Sequence, residues 1–248
     1  MTDWLLLRLE APLMSFGGPM VDQIGPTRRF PGQAQITGLL SNALGYRHGD
    51  ADALEALQAR LRLAAALVRP GEVLRDYQTV DLGRPHLVRT GWTTRGRMES
   101  REGASSETTH IRHRWYLTDA LVVVALTLVP AGAAPDLSAL GEALDHPARP
   151  LFIGRKPCLP TAPLRLGRLE AATAEDALRF AAAMLGRFEP IEAEIDARLA
   201  SGAPRRGERE EHLVDRRDWR NQAHTGTRAA RRLSLPMSSA PAATEPTP

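Results

Sequence analysis

Residues 120–129, with the sequence ALVVVALTLV, are almost wholly apolar and partly β-branched. Strands of this composition are typical of sheet positions that are covered on both faces. The run is too short to cross a lipid bilayer. It therefore predicts a buried strand inside a sheet, and the other elements are placed around it.

Patterns on either side of this strand predict the rest of the architecture. Leu5, Leu7 and Leu9 fall on one face of a first strand at residues 4–10. Apolar periodicity, capping residues and glycine stops predict helices at residues 34–44, 52–61, 137–144 and 175–185. Further strands are predicted at residues 62–69, 74–82 and 151–160, with Leu233 and Leu235 in a last edge strand.

The order of these elements is β, α, α, β, a polar excursion, β, α, β and α. That order predicts an α+β fold, specifically a ferredoxin-like (RRM-like) antiparallel sheet with helices on one side. Residues 1–235 are expected to form a single domain. The tail at residues 236–248 is rich in Pro, Ala, Ser and Thr and is expected to be disordered.

Composition excludes several classes of protein. A chain of 248 residues that is 43% hydrophobic can bury one compact core, so disorder is not expected to dominate. Cys158 is the single cysteine, which excludes an intrachain disulfide and a thiolate metal cage and predicts a cytoplasmic protein without a cofactor. Arg8 and Glu10 interrupt the first apolar run, so neither a signal peptide nor a membrane span is expected.

Arginine dominates the basic residues, since Lys156 is the only lysine among 32 lysines and arginines. The planar arginine side chain donates several hydrogen bonds to phosphate and stacks on bases, so this composition is compatible with nucleic acid. Aromatic residues make up only 5% of the chain, so phosphate contacts and shape would carry more of the binding than stacking.

Two basic segments are candidates for phosphate contact. The sequence GPTRRFPGQAQITGLL at residues 25–40 places Arg28, Arg29 and Phe30 just before the amides of a helix N-terminus, where phosphate binds readily. Phe30 could stack on a base or fill the core. The sequence IGRKPC at residues 153–158 brings Arg155 and Lys156 together, either as a phosphate contact or as an ordinary charged turn.

The chain carries no recognisable catalytic motif. His110 and His113 form the one close histidine pair, which without a third ligand indicates surface residues rather than a metal site. With Tyr116 nearby, the pair could also serve acid–base cleavage of RNA. Cys158 lacks an activating context and is expected to be buried packing.

Several segments in order resemble one family. They are RLEAPLMSFGG at 8–18, PTRRFP at 26–31, ITGLLSNALG at 36–45, LRDYQTV at 74–80, HRWYLTDA at 113–120 and LFIGRKPCLP at 151–160. Over residues 4–165 the chain resembles the CasD-like, handle-binding subunits of type I-E CRISPR surveillance complexes (Cascade). These belong to the Cas five family, within the repeat-associated mysterious protein superfamily.

The resemblance implies a non-catalytic RNA-binding subunit for antiviral defence. Such a subunit caps the CasC backbone, contacts the large subunit CasA, holds the 5′ handle of the CRISPR RNA and meets target DNA only through the assembled complex. It also implies a projecting β-hairpin thumb at about residues 83–109. The implied RNA contacts in the body are Arg28, Arg29, Phe30, Arg75, Tyr77, Arg155 and Lys156. The implied contacts in the thumb are Arg84, Arg89, Arg95, Arg97 and Arg101.

Two alternatives remain at this point. A related type I-C subunit cuts precursor RNA itself, so the chain could be a metal-independent endoribonuclease that uses His110, His113, Tyr116 and Lys156. In type I-E systems a separate subunit, CasE, makes that cut, which favours the structural role. The third interpretation is a ferredoxin-like binding module that does not bind RNA.

Overall fold

The computed structural model describes residues 1–20, 22–81, 90–92, 98–100, 109–200 and 203–237. Its strands are β1 (Thr2–Glu10), β2 (Leu13–Met14), β3 (Ile24–Gly25), β4 (Leu61–Arg69), β5 (Glu72–Asp81), β6 (Thr90–Trp92), β7 (Met98–Ser100), β8 (Thr109–Thr118), β9 (Leu121–Leu128), β10 (Arg165–Ala171), β11 (Ile191–Asp196), β12 (Arg209–Asp218) and β13 (Ala223–Leu235). Its helices are α1 (Gln33–Ala43), α2 (Ala51–Arg60), α3 (Leu137–Asp145) and α4 (Ala174–Met184), with a 3-10 turn at Ala197–Leu199. Within these ranges no helix is long and apolar enough to span a membrane.

An antiparallel seven-stranded sheet forms the body of the molecule, in the order β10-β1-β9-β4-β11-β13-β12. The first four strands of this sheet order, read along the chain together with their helices, are β1-α1-α2-β4-β9-α3-β10. This is the strand and helix order of the ferredoxin-like arrangement, with α2 as an added helix. The α+β class with an antiparallel sheet is therefore confirmed.

The apolar run at residues 120–129 is the buried strand that the sequence predicts. Every residue of β9 is buried, and the strand pairs with β1 on one side and with β4 on the other. Leu126, for example, lies opposite Leu5 in β1 and Leu63 in β4. A strand with neighbours on both edges and helices over both faces has no solvated side, which is why its sequence lacks alternation.

Helices cover both faces of the sheet, so the expectation of helices on one side only is wrong. Leu7 of β1 points into a core with Ile36 of α1 and Leu140 of α3. The neighbouring Leu6 points the other way, into a second core with Leu178 of α4. Side chains alternate along a strand, so α4 lies on the face opposite α1 and α3.

Two strand predictions need correction. Residues 151–160 form turns and bends, because Gly154, Pro157 and Pro160 prevent a regular strand, and the fourth ferredoxin-like strand is β10 instead. Leu233 and Leu235 belong to β13, but this strand lies between β11 and β12 rather than at the edge. Beyond β13 the chain is described to Met237, and residues 238–248 of the predicted tail lie outside the described residues.

A long ribbon, β5 with β8, continues the β4–β9 hairpin outside the main sheet, and the short strands β2 and β3 pair with the other edge of β8 to make a four-stranded sheet. Ten residue pairs join β5 to β8, from Glu72 opposite Thr118 to Asp81 opposite Thr109. Gly71 makes the bend between β4 and β5, where its positive φ and the carbonyl of Thr118 leave no room for a Cβ atom. The ribbon is the base of the predicted hairpin excursion, and β6 and β7 pair beyond it.

Candidate nucleic-acid interface

The loop between β2 and α1 is fastened to the ribbon by its backbone. The short strand β3 pairs in parallel with β8, and the amide of His113 donates to the carbonyl of Gln23 at 2.9 Å. Within the loop, the amide of Phe16 donates to Thr27 Oγ1 at 3.0 Å. These contacts give the glycine-rich segment one defined path across the molecule.

The turn at residues 153–158 meets this loop at Gly154. Its φ is +96°, and a Cβ atom there would lie 1.8 Å from the carbonyl oxygen of Ser15. Both the backbone conformation and the close approach require glycine. The GRKPC segment is therefore a packed turn that supports the loop.

Arg155 joins the loop to the ribbon. Its guanidinium donates to the carbonyl of Trp115 at 3.0 Å and to that of Gly25 at 2.8 Å, and it lies 4.8 Å from the ring centre of Tyr116. Part of its hydrogen-bonding capacity is thus used by protein carbonyls. Lys156, the next residue, is exposed and remains a candidate for phosphate contact.

A cavity of about 360 Å³ lies where the loop, the start of α1, the 153–158 turn and the C-terminal hairpin meet. We call it the loop pocket. It is lined by Ser15–Pro19, Arg28, Gln35, Arg155, Arg217 and His224, among others. Three of the segments that meet here were singled out by the sequence. The fourth, the β12–β13 hairpin, had no role predicted from the sequence.

Basic side chains outnumber acidic ones around the loop pocket. Arg28, Arg155, Arg217 and His224 line it, while Asp215 is the one carboxylate among the described residues that line it and is itself bonded to an arginine. Burial lowers the pKa of Arg217, but an arginine remains protonated at neutral pH. A cavity of this charge attracts anions such as phosphate.

The first amide of α1 already has an acidic partner within the protein, which the sequence did not predict. The amide of Gln33, the first helical residue, donates to Asp215 Oδ2 at 3.2 Å. Gln33 and Asp215 are both buried. The anion at this helix end is thus a carboxylate of the protein, delivered by a strand that lies far away in the sequence.

The three residues RRF at positions 28–30 take different environments. Arg28 lines the loop pocket, whereas Arg29 is half exposed and pairs with Glu192 at 2.8 Å. Phe30 is 2% exposed and packs in the main core, with the guanidinium of Arg232 5.9 Å from its ring centre. Phe30 is therefore a core residue, and base stacking by it is ruled out in this conformation.

An aromatic and basic strip runs along one face of the ribbon. The ring centres of Tyr77 and His113 are 5.4 Å apart, and those of His113 and Trp115 are 6.1 Å apart. Arg75 lies directly opposite Trp115, on the same face. Tyr77 is 58% exposed and Arg75 is exposed, so this ribbon face, defined by Arg75, Tyr77, His113 and Trp115, offers both stacking and charge.

The residues suspected of catalysis are not collected on one surface. His110 and His113 lie three residues apart on β8, which places them on opposite faces of the ribbon. Tyr116 is buried, with Arg155 against its ring. Among the residues that the structure describes, no group of three or more His, Cys, Asp or Glu side chains could hold a metal ion.

The remaining predicted positions are the single cysteine and the arginines of the predicted thumb. Cys158 is buried as expected, and burial raises the pKa of its thiol, so it is inert packing. The five thumb arginines lie outside the described residues: Arg84, Arg89, Arg95, Arg97 and Arg101.

Sequence reasoning missed the contribution of the C-terminal hairpin. Asp215, Arg217 and His224 reach the loop pocket from β12 and β13, and no local motif announces such long-range contacts. It also missed His113 and Trp115 as members of a strip, although alternation along residues 109–118 was a usable signal for a strand.

Comparisons with known proteins agree over most of the chain. The family described as "CRISPR-associated protein (Cas_Cas5)" matches residues 4–231. The CRISPR system Cascade subunit CasD of Escherichia coli (strain K12) is 34% identical over 178 residues, which cover 72% of this chain and 76% of the relative.

Solved structures share the fold. A chain of a CRISPR RNA-guided surveillance complex aligns with a TM-score of 0.65 at 23% identity, over 94% of this chain and 90% of that one. A crystal structure of a Cas protein aligns with a TM-score of 0.58, also at 23% identity, over 94% and 95% of the two chains. Both alignments extend well beyond the four ferredoxin-like strands.

Proposed function

The chain belongs to the Cas5 family of CRISPR-associated proteins, and from this premise we propose that it is a non-catalytic RNA-binding subunit of a type I-E Cascade complex. In this role it holds the 5′ handle of the CRISPR RNA and caps the backbone of CasC subunits beside the large subunit CasA. Target DNA meets the subunit only within the assembled complex.

The observation that carries the proposal is the pairing of two surfaces suited to single-stranded RNA. The loop pocket presents Arg28, Arg217 and His224 to an anion, and the ribbon face presents Tyr77 to a base. Arg155 touches both regions, because it lines the pocket and bonds to the carbonyl of Trp115. Single-stranded nucleic acid is bound by this combination of cationic grooves and aromatic platforms.

The proposal that the chain is non-catalytic rests on where the candidate catalytic residues lie. His110 and His113 face opposite sides of the ribbon and Tyr116 is buried, so they do not form an acid and a base around one phosphate. The competing function, cleavage of precursor RNA, is therefore kept as an outcome of the test.

The decisive experiment incubates the purified chain with repeat RNA and with mature guide RNA that carries its 5′ handle, without added metal. Binding is read by fluorescence anisotropy and cleavage on a denaturing gel. Handle-dependent retention of uncut RNA supports the proposal. Specific cleavage of the repeat that is lost in His110→Ala identifies the chain as the processing nuclease instead.

Two ribbon variants test the contact surface within the same assay. Tyr77→Ala should weaken handle binding about tenfold with an unchanged salt slope, because stacking contributes about 1–3 kcal/mol per base. Arg75→Gln should weaken binding and lower the salt slope by about 0.7, because one fewer counterion is released from single-stranded RNA. Gln78→Ala, exposed on the opposite face of β5, is the matched control. Equal effects from all three variants would contradict the assignment of this face.

A further inference from the structure

A cluster of buried charges joins the C-terminal strands to the loop pocket. Glu194 of β11, Asp215 of β12 and Arg228 of β13 are each 3% exposed or less. The Nη2 of Arg228 donates to Asp215 Oδ2 at 2.7 Å and to Glu194 Oε1 at 3.2 Å. Burial alone would lower the pKa of Arg228, but the hydrogen bonds and charge of Asp215, together with the charges of Glu194 and Asp196, outweigh burial and raise it.

Asp215 lies at an irregular point of β12. Val214 pairs with Thr227 and Arg216 with Gly226, so the residue between them has no partner in the register. Leu213 and Asp215 are buried and Val214 between them is exposed, so Asp215 keeps the inward side of the strand's alternation. Its carboxylate lies against the start of α1, where a Cβ atom on Gly32 would lie only 3.0 Å from the Cβ of Asp215.

Arg28 sits beside this cluster without hydrogen-bonding to it. Its Nη1 lies 3.9 Å from Asp215 Oδ2, and its Nη2 lies 3.9 Å from Glu194 Oε2. Both separations exceed hydrogen-bonding distance, and Nη2 is buried without a hydrogen-bond partner among the described residues. Both carboxylates already accept hydrogen bonds from Arg228, so Arg28 is attracted by their charge while its own donors remain uncommitted.

Building on the proposed RNA-holding function, we propose that Asp215 is a positioning residue for that function. One oxygen of its carboxylate accepts from the first amide of α1 and draws Arg28 towards the cluster, so it fixes both the helix start and the guanidinium that faces the loop pocket. Arg28 is thereby held at the loop pocket, and the donors assigned to an RNA phosphate are those of its guanidinium other than the buried Nη2. The β12–β13 hairpin is then part of the RNA site.

The direction in which removing the charge of Asp215 changes RNA affinity distinguishes the positioning role from two simpler roles. A carboxylate near RNA repels phosphate, so removing its charge should tighten binding if Asp215 were only a nearby negative charge. A purely structural salt bridge would lower thermal stability and would weaken binding independently of Arg28. The positioning role instead predicts weaker binding that depends on Arg28.

The test is a double-mutant cycle on the full-length chain with Arg28→Gln, Asp215→Asn and the two combined. The probe is the repeat RNA of the preceding binding experiment, labelled with fluorescein. We expect each single variant to bind about tenfold more weakly, the energy of one charged hydrogen bond, and to lower the salt slope by about 0.7. The double variant should bind no more weakly than Arg28→Gln alone.

Asp218→Asn is the control, since it makes the same chemical change on β12 where the carboxylate accepts from Asn221 in the adjoining turn. It should leave affinity within about twofold of wild type. If Asp215→Asn does not fold, Glu194→Gln replaces it in the cycle, because Glu194 attracts Arg28 while Asp215 keeps its bonds to Gln33 and Arg228.

The outcomes are distinct. Tighter or unchanged binding of the folded Asp215→Asn or Glu194→Gln variant overturns the positioning role, and so does a loss that persists undiminished in the Arg28→Gln background. A wild-type chain that does not bind the repeat RNA overturns the proposed function, and the positioning role with it.

Discussion

The hairpin that contains β4, β5, β8 and β9 has opposite environments at its two ends. Where β4 pairs with β9, side chains are buried almost throughout. Where the same chain segments continue as β5 and β8, Val73 is 65% exposed and Leu74, Tyr77 and Val80 are exposed too. The buried end is stabilised by its own packing, whereas the ribbon leaves large apolar side chains exposed.

The largest expected effect is on the free energy of unfolding, when one charged residue is introduced at the buried end of this hairpin and another at the exposed end. Val124→Asp puts a carboxylate into a strand covered on both faces, which costs about 3–5 kcal/mol and should prevent cooperative folding. Val73→Asp on the ribbon should change the free energy of unfolding by about 0.5 kcal/mol or less. Urea denaturation followed by circular dichroism measures both. Similar losses from the two variants would show that the ribbon is as tightly packed as the sheet.

A smaller effect is expected where the ribbon joins the loop. Arg155→Met removes hydrogen bonds to the carbonyls of Trp115 and Gly25 and should cost about 2 kcal/mol. The matched control is Lys156→Met, which changes an exposed neighbour and should stay within about 0.5 kcal/mol of wild type. Thermal denaturation compares them. If Arg155→Met were as stable as the control, Arg155 would not be the joint between these regions.

The smallest effect is a pH dependence at the border between sheet and ribbon. Burial alone would raise the pKa of Glu10, but hydrogen bonds from Arg8 and Arg69 prevail and hold it below its usual 4.5. The stabilisation is therefore present above about pH 4.5 and is lost as the pH falls through the lower folded-state pKa. Glu10→Gln should lower the free energy of unfolding by about 1 kcal/mol at most near pH 7. The difference in Tm from wild type should shrink below pH 4.5, and a constant difference would contradict this origin.

The same contrast explains what the sequence could predict. The strands β1 and β9 and the four helices follow from local periodicity, because each buries a regular stripe or run of apolar residues. β10 was missed because an edge strand with half-exposed residues carries little apolar signal, and the apolar LFI at 151–153 drew the prediction to the wrong place.

The site was predictable only in its parts. The RRF and GRK segments were found because glycine and arginine cluster there, and both reach the loop pocket through Arg28 and Arg155. The carboxylate at the start of α1 could not be found, because Asp215 comes from a strand 182 residues further along the chain. Phe30 carried two interpretations, and only its three-dimensional surroundings decide for the core.

The hydrogen bond between Gln33 and Asp215 also joins two parts of the chain that are synthesised at different times. Its two residues are 182 positions apart, so at roughly 5–20 residues per second the ribosome delivers the carboxylate about 10–35 s after the helix it caps. Until then the first amide of α1 lacks this partner and Arg28 lacks the charges beside it. The loop pocket of a nascent chain is therefore complete only after β12 and β13 have been synthesised.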